Sequence, residues 1–467
     1  MVDHIFREYD IRGKVGTELV IDQMYDLVRA LAYFFVNKSP TVKTVAIGFD
    51  GRTHSPALRD ETIRALQDSG LNVVLLGMCP TPTLYFSQFT MPVEAGIMIT
   101  ASHNPSEYNG IKIVLDKESV WGKDLIAIRE LYKNKTTITA TARGICTEVD
   151  GVGIYVDYLV DHFAHLTNMK LSAVVDCANA VGGLVFPLLI KKLQWKNIKL
   201  LYEEVDGTYP NHEADPVIHE NMQDVYTILR SSDYMVGIGL DGDCDRMAPM
   251  TKSGYLVPGD QLLALFSQQI LRDYPGAAIV FDVKASQGLI DILHLWGAQA
   301  CISACGHSII KNEMKEKRAV LGGELSCHFC FKDRYFGYDD GIYAALRLFE
   351  IMEHTQQTLD DLISIFPHAY SSPEIRMDCP EEHKDVVVNS VKNFFISRTD
   401  TSVLTIDGIR AQLPYGWGLI RASNTQSVLS FRFEAQTQDD LVRVKNEFIH
   451  AMIPFFNRDH LEKYFFG

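Results

Sequence analysis

The chain has no apolar run approaching the roughly 18 residues that a membrane-spanning helix needs, and it has no low-complexity tract or coiled-coil heptads. Its first residues, Met1-Val2-Asp3-His4, are polar and lack the basic-then-apolar pattern of a secretory leader. A cytoplasmic location is therefore the default expectation. Positive charge is in deficit: 44 Lys and Arg stand against 59 Asp and Glu, a formal net charge of -15. That balance disfavours nucleic acid and anionic membrane as partners. It also means that an anionic ligand must find a locally positive cleft. The nine cysteines are odd in number and scattered, which fits free thiols in a reducing compartment. Cys301-x₃-Cys305 and Cys327-x₂-Cys330 loosely suggest a Cys₄ zinc site, but the first gap is wide for such ligands.

What is present is ordinary globular material in quantity. At about 150 residues per domain, 467 residues give about three domains. Apolar strands alternate with amphipathic segments, the mark of α/β units. Val42 to Phe49 ends in Asp50, Leu171 to Val175 in Asp176, Tyr234 to Leu240 in Asp241, and Ala277 to Phe281 in Asp282. A strand closed by aspartate and followed by a small-residue loop thus recurs in successive blocks, a weak internal repeat. Thr136 to Gly144 reads as a polar connector, Pro258-Gly259-Asp260 as a helix start, and Asp340 to Glu353 as an amphipathic helix. Beyond about Ser371 the character changes. A helix is expected at Val386 to Phe395, strands at Val403 to Ile406, Gly416 to Arg421 and Val428 to Phe433, and a closing helix at Asp439 to Met452.

Two loops carry chemistry. Ala95 to Ile99 reads as a buried strand, and Thr100-Ala101-Ser102-His103-Asn104-Pro105 follows it, ending in a turn signal. Ser102 therefore stands at the carboxyl end of a strand, where open α/β sheets place ligand chemistry. A serine there can carry a group if something activates it; alone, the hexapeptide also reads as a polar turn. Far downstream, Leu240-Asp241-Gly242-Asp243-Cys244-Asp245-Arg246 sets carboxylates at i, i+2 and i+4. They lie on one face of a strand or converge in a loop, and they repel one another unless a cation sits between them. All-oxygen ligands favour a hard divalent ion such as Mg²⁺. Arg246 beside them suits a phosphate. Cys244 is a small spacer with no ligand role expected.

A loop serine, a carboxylate trio and nearby cations suggest phosphoryl transfer through a phosphoserine. At these residues the chain resembles the α-D-phosphohexomutases. Ser102 in its hexapeptide and Asp241 to Arg246 are similar to that family's two signature loops. Phe6-Arg7-Glu8-Tyr9-Asp10-Ile11-Arg12-Gly13 resembles its amino-terminal motif, Gly322 to His328 its sugar-recognition loop, and Arg421-Ala422-Ser423-Asn424-Thr425 its phosphate-binding loop. Five motifs in order span nearly the whole chain, nearest to the bacterial phosphomannomutase/phosphoglucomutase branch.

The resemblance implies three similar mixed-sheet α/β domains plus a carboxyl-terminal α+β domain around a central cleft, at 1-148, 149-255, 256-369 and 370-467. It implies interconversion of hexose 1- and 6-phosphates through a 1,6-bisphosphate. Glucose 1,6-bisphosphate or mannose 1,6-bisphosphate would activate, Mg²⁺ would be the cofactor, phosphorylated hexoses the only partners, and the chain a monomer or weak dimer. Ser102 would be the phosphoserine, and Asp241, Asp243 and Asp245 would hold Mg²⁺ together with it. Arg12 and Lys112 would flank the reacting phosphate, His103 would assist the serine, and His328 would be a general-base candidate. Glu324 and Ser326 would grip sugar hydroxyls. Arg421, Ser423, Asn424 and Thr425 would hold the idle phosphate, with Tyr9, Arg246, Lys284 and His307 lining the cleft. Cys327, Ala285-Ser286-Gln287 and Gln426-Ser427 depart from the usual pattern and bear on fine specificity. Competing readings are a haloacid-dehalogenase-type phosphatase with Asp241 as nucleophile, a phosphoglucosamine mutase, and a non-catalytic sugar-phosphate sensor.

Overall fold

In the computed structural model, residues 1–423 and 427–466 are described. Four β-sheets follow one another along the chain, and the first three contain the same four-stranded unit. Its first strand is Thr44–Phe49, Ala173–Asp176 or Ala278–Asp282. Each pairs in parallel with a second strand on one side, Asn72–Met78, Ile198–Leu201 or Gln299–Ser303. Each pairs in parallel with a third on the other side, Ala95–Ile99, Val236–Leu240 or Leu321–Gly323. The third then pairs antiparallel with a fourth, Tyr108–Leu115, Met247–Thr251 or Phe329–Phe331. Parallel strands covered by helices on both faces must be apolar throughout, and the third strands AGIMI and VGIGL are buried at every residue.

The strand-closing aspartates do the same local work in all three units. Asp50, Asp176 and Asp282 each accept a hydrogen bond from the backbone N–H two residues on, at Arg52, Ala178 and Lys284 (3.1, 2.8 and 3.1 Å). This is an Asx turn, which bends the chain out of the strand toward the next helix. The loop between third and fourth strands is the Ser102 loop in the first unit, the Asp241 to Arg246 loop in the second and the Glu324 to His328 loop in the third. Each of these loops turns through one non-glycine residue in left-handed backbone, Ser102, Cys244 and Cys327 (φ 50°, 60° and 67°). Such a position costs about 1–3 kcal/mol and is held by the packing around it.

The first sheet is extended by Ile11–Lys14 beside Tyr108–Leu115 and by Cys146–Glu148 beside Asn72–Met78. The fourth sheet is antiparallel and six-stranded, with Val428–Ala435 at its centre. Here the structure departs from expectation. Ile375–Asp378 and Ile409–Leu413 are additional strands, and a helix Arg458–Phe466 follows Gln438–Met452. Arg410 interrupts the apolar run of Ile409–Leu413; it is buried because its guanidinium lies over the Trp417 ring. The cysteines form no zinc centre: all nine are free, and among the described residues neither cluster able to hold a metal contains one.

One apolar core runs through the first three units, from Ala46 through Val175 and Ile238 to Phe329 and Leu362. The fourth unit has its own core, built from residues such as Met377, Val391, Phe431 and Phe465. It meets the third unit through a small apolar cluster, Val283 and Cys305 against Trp417 and Leu419, and through polar contacts. Arg410 donates to the carbonyls of Val283 and Ala285, Arg432 pairs with Asp260, and Gln287 N–H donates to Glu434. No helix among the described residues is long and apolar enough to cross a membrane.

Candidate active site

The three equivalent loops meet. Ser102 Oγ donates to Asp241 Oδ2 at 2.7 Å, joining the first unit to the second, and His103 Nδ1 lies 3.2 Å from the same Oγ. Arg246 and His328 form a backbone bridge, joining the second unit to the third. Gly242 explains how closely the first pair approaches: a Cβ there would sit 2.4 Å from the Ser102 carbonyl oxygen. Gly341 plays the same part behind the loop, where a Cβ would meet the Arg246 carbonyl at 2.5 Å.

Asp241, Asp243 and Asp245 lie in the loop, not along a strand, and are wholly buried, with carboxylate oxygens within 4.8 Å of one another. Lys112, buried on the strand Tyr108–Leu115, reaches both Asp243 (2.6 Å) and Asp245. Thr81 Oγ1 donates to Asp243 at 2.6 Å. Arg246 donates to Asp241 through its backbone N–H (3.1 Å) and Nε (3.2 Å) and also reaches Asp215. Burial and the charges of Asp245 and Asp243 push the Asp241 carboxyl up to about 8. Burial acts the same way on Asp245, but Lys112 and His328 outweigh it and hold that carboxyl below the usual range. For Lys112 burial opposes the charge, and Asp243 and Asp245 outweigh it, so its ammonium is pushed up. Burial, with Arg246 and Arg12, keeps His103 neutral, well below the usual histidine range.

These residues fit a hard divalent cation. Asp243 Oδ1 and Asp245 Oδ1 are buried oxygens without a hydrogen-bond partner, and a buried charged acceptor left unpaired is costly. Three oxygen donors at one point suit Mg²⁺ or a similar ion.

Of the other expected residues, some contact the serine loop or the sugar loop and others lie on the seam between the third and fourth units. Arg12 donates to Asn104 Oδ1 at 2.5 Å and pairs with Asp10, beside the serine loop. Tyr9 crosses to the third unit, its hydroxyl donating to the Cys305 carbonyl and its ring packed on Gly306. Glu324 Oε1 accepts the Gly306 N–H at 2.7 Å, and Ser326 is half-buried in the same loop. His307 and His328 stack, with ring centroids 5.4 Å apart. Lys284 is buried between Asp282 (3.7 Å) and Glu374 (3.5 Å), so it links the third and fourth units. Arg421 Nε donates to Asp407 at 2.9 Å, and Ser423 is buried with its N–H donating to Val428. Asn424 and Thr425 lie outside the described residues.

Four residues that sequence reasoning did not single out hold the site together. Arg52, fully buried beside Asp50, donates to four carbonyls of the serine loop: Ser102 (2.8 Å), Asn104 (2.6 Å), Pro105 (2.7 Å) and Tyr108 (3.1 Å). Arg52→Met is expected to cost about 3–5 kcal/mol, the scale for breaking a buried ion pair, and to bring forward the first urea-unfolding transition. Thr81 supports the metal loop, and Asp339 accepts from His307 at 2.8 Å. Asp407 Oδ2 accepts from both Arg421 Nε and the Cys305 N–H (3.0 Å), spanning the third and fourth units.

Comparison with known proteins agrees with this arrangement. Four models of the phosphoglucomutase/phosphomannomutase family match in order: alpha/beta/alpha domains I (residues 3–139), II (154–254) and III (258–370), and the C-terminal domain (374–451). The chain is 39% identical over 444 residues to the phosphomannomutase/phosphoglucomutase of Pseudomonas aeruginosa, covering 95% of this chain and 94% of that one. It is 38% identical over 450 residues to a phosphoglucomutase of Neisseria gonorrhoeae, covering 95% of each. A solved phosphoglucomutase/phosphomannomutase family protein from Burkholderia thailandensis superposes with a TM-score of 0.90 at 32% identity, covering 98% of this chain and 99% of that one. With every part of the fold and all four domain models accounted for, the chain belongs to the phosphoglucomutase/phosphomannomutase family.

Proposed function

We propose that the protein interconverts the 1- and 6-phosphates of mannose and glucose through a phosphoserine at Ser102. The observation that carries this reading is the 2.7 Å hydrogen bond from Ser102 Oγ to Asp241, which sets the nucleophile at the rim of the carboxylate trio. A phosphoserine brings nearly two negative charges, and Lys112, Arg246 and Arg12 are the cations that stand ready to offset them. Asp241, Asp243 and Asp245 would hold Mg²⁺, which when bound stabilises charge on a transferring phosphoryl group.

In the first transfer a sugar hydroxyl oxygen bonds to phosphorus and its proton is taken up by His328. The P–Oγ bond of Ser102 breaks, and the serine oxygen keeps the electron pair. That oxygen is then protonated from solvent, while the neutral His103 ring, with Nδ1 3.2 Å away, holds it in place by hydrogen bonding. The 1,6-bisphosphate turns over in the cleft, and the second transfer reverses these changes. Ser102 Oγ gives up its proton and bonds to the other phosphorus, and that phosphate's bond to the sugar oxygen breaks. The sugar oxygen keeps the electron pair and takes a proton back from His328. Glu324 and Ser326 suit the vicinal O3 and O4 that glucose and mannose share. The Arg421 loop holds the idle phosphate in either orientation. Turning the intermediate requires the fourth unit to open, and its separate core, joined to the third unit by only a small apolar cluster, supports a hinge near residue 370.

The phosphatase reading, with Asp241 as nucleophile, fits poorly. Both Asp241 oxygens are engaged, Oδ1 by the Arg246 N–H and Oδ2 by Arg246 Nε and Ser102 Oγ.

Asp407→Ala would free Arg421 from its support. It is expected to raise KM for hexose phosphate roughly 10- to 100-fold, the scale of one charge-assisted hydrogen bond, with a smaller effect on kcat. Steady-state kinetics check this. The reading as a whole is tested with purified protein, Mg²⁺ and catalytic glucose 1,6-bisphosphate. Turnover of mannose 1-phosphate and glucose 1-phosphate to the 6-phosphates is expected. Release of free phosphate, or turnover of glucosamine 1-phosphate alone, would contradict it.

A further inference from the structure

Asp339 is a wholly buried carboxylate with three cleft partners. His307 and Lys311 stand at i and i+4 on the helix His307–Lys317 and so share a face. His307 Nδ1 lies 2.8 Å from Asp339 Oδ2, and Lys311 Nζ donates to Oδ1 at 2.8 Å. His328 arrives from the sugar loop. Its ring lies nearly parallel to that of His307, at 18°, and its Nδ1 is 3.4 Å from the same Asp339 Oδ2, with Asp245 Oδ1 next nearest at 3.6 Å. An ionised carboxylate can only accept, so both Nδ1 atoms face an acceptor. The His328 Nδ1 atom is buried and makes no hydrogen bond within the protein in this geometry, so the ion-pair distance to Asp339, not a formed bond, is what favours a proton on it, while 14% of the side chain remains exposed. The solvent-facing edge of that ring is therefore the one away from Asp339.

We propose that Asp339 is a positioning residue for phosphoryl transfer, which fixes the Nδ1–H tautomer of His328 and His307 and thereby offers Nε2 to the sugar as the proton acceptor. The inference rests on the mutase reading above, in which His328 takes up the hydroxyl proton. A carboxylate behind a functional histidine sets its tautomer and ring orientation in the same way elsewhere. Lys311 occupies the second oxygen of Asp339 and leaves Oδ2 to the two rings.

The test combines kinetics with a readout independent of turnover. Asp339→Asn is expected to lower kcat about 10- to 100-fold while KM stays within about twofold. In a His328→Gln background the same change should cost little more, because it acts through that ring. Full additivity of the two, or an unchanged kcat, overturns the proposal. Separately, ¹⁵N spectra of the histidine-labelled chain, assigned with His307→Gln and His328→Gln, should show Nε2 unprotonated in the neutral rings. A shift toward Nε2–H is expected in Asp339→Asn. An unprotonated Nδ1 in the native chain overturns the proposal even if Asp339→Asn fails to fold. Were the chain to lack mutase activity, the functional reading would fail while the spectra still decided the tautomer.

Discussion

Ser102→Ala is expected to lower turnover of mannose 1-phosphate and glucose 1-phosphate by roughly a thousandfold or more, the scale for removing a nucleophile that acts as one unit with its partners. The protein should otherwise change little. The lost hydroxyl bonds Asp241 and, more loosely, His103 Nδ1, and Arg246 still holds that carboxylate from its side chain and backbone. A net loss of about 1 kcal/mol in stability is the expected scale. Coupled assays of turnover beside thermal melting separate the two effects. A variant that melts like the native chain yet turns over near-normally would remove Ser102 from the mechanism. The left-handed backbone at Ser102 sharpens this: alanine is tolerated there about as well as serine, so a lost activity reports the missing oxygen.

Removal of divalent cations is the second large effect expected. With three buried carboxylates at one point and two of their oxygens without a hydrogen bond, chelation should abolish turnover, and added Mg²⁺ should restore it. Binding to the folded state alone also stabilises it, by about 2.7 kcal/mol at 100 times Kd, so melting should rise with Mg²⁺ concentration. Asp243→Ala is expected to lose both responses. In that variant Asp245 still pairs Lys112, which keeps the lysine from being stranded in the interior. An Asp243→Ala chain that still melted higher with Mg²⁺ and turned over normally would contradict the assignment of the trio.

The residues that form local patterns were legible in the sequence. An apolar run closed by aspartate announces the first strand of each unit, because burial on both faces and the Asx turn are properties of adjacent residues. The Asp-x-Asp-x-Asp loop announces a cluster of carboxylates able to hold a cation for the same reason. What escaped was non-local. Arg52 is a lone arginine after a strand until its four carbonyl partners, some 50 residues away, are in view. Thr81 supports an aspartate 162 residues downstream, and Asp407 meets Cys305 across 102 residues. None of these has a neighbour in sequence that betrays it. The fourth unit was read least completely. Ile409–Leu413 hides behind a buried arginine whose apolar partner, Trp417, comes one strand later, and Arg458–Phe466 buries only Leu461 and Phe465. The cations expected to draw an anionic ligand, Lys112, Arg246, Lys284 and Arg421, are each buried against carboxylates, a pairing that the sequence does not reveal.

The central claim is that the phosphoryl group passes through Ser102. The most direct measurement is to incubate the protein with Mg²⁺ and glucose 1,6-bisphosphate labelled in its phosphates, quench, digest and map the label. The account predicts an acid-stable phosphate on the peptide carrying Ser102. Label on Asp241 as an acyl phosphate, or turnover without any label on Ser102, would contradict it.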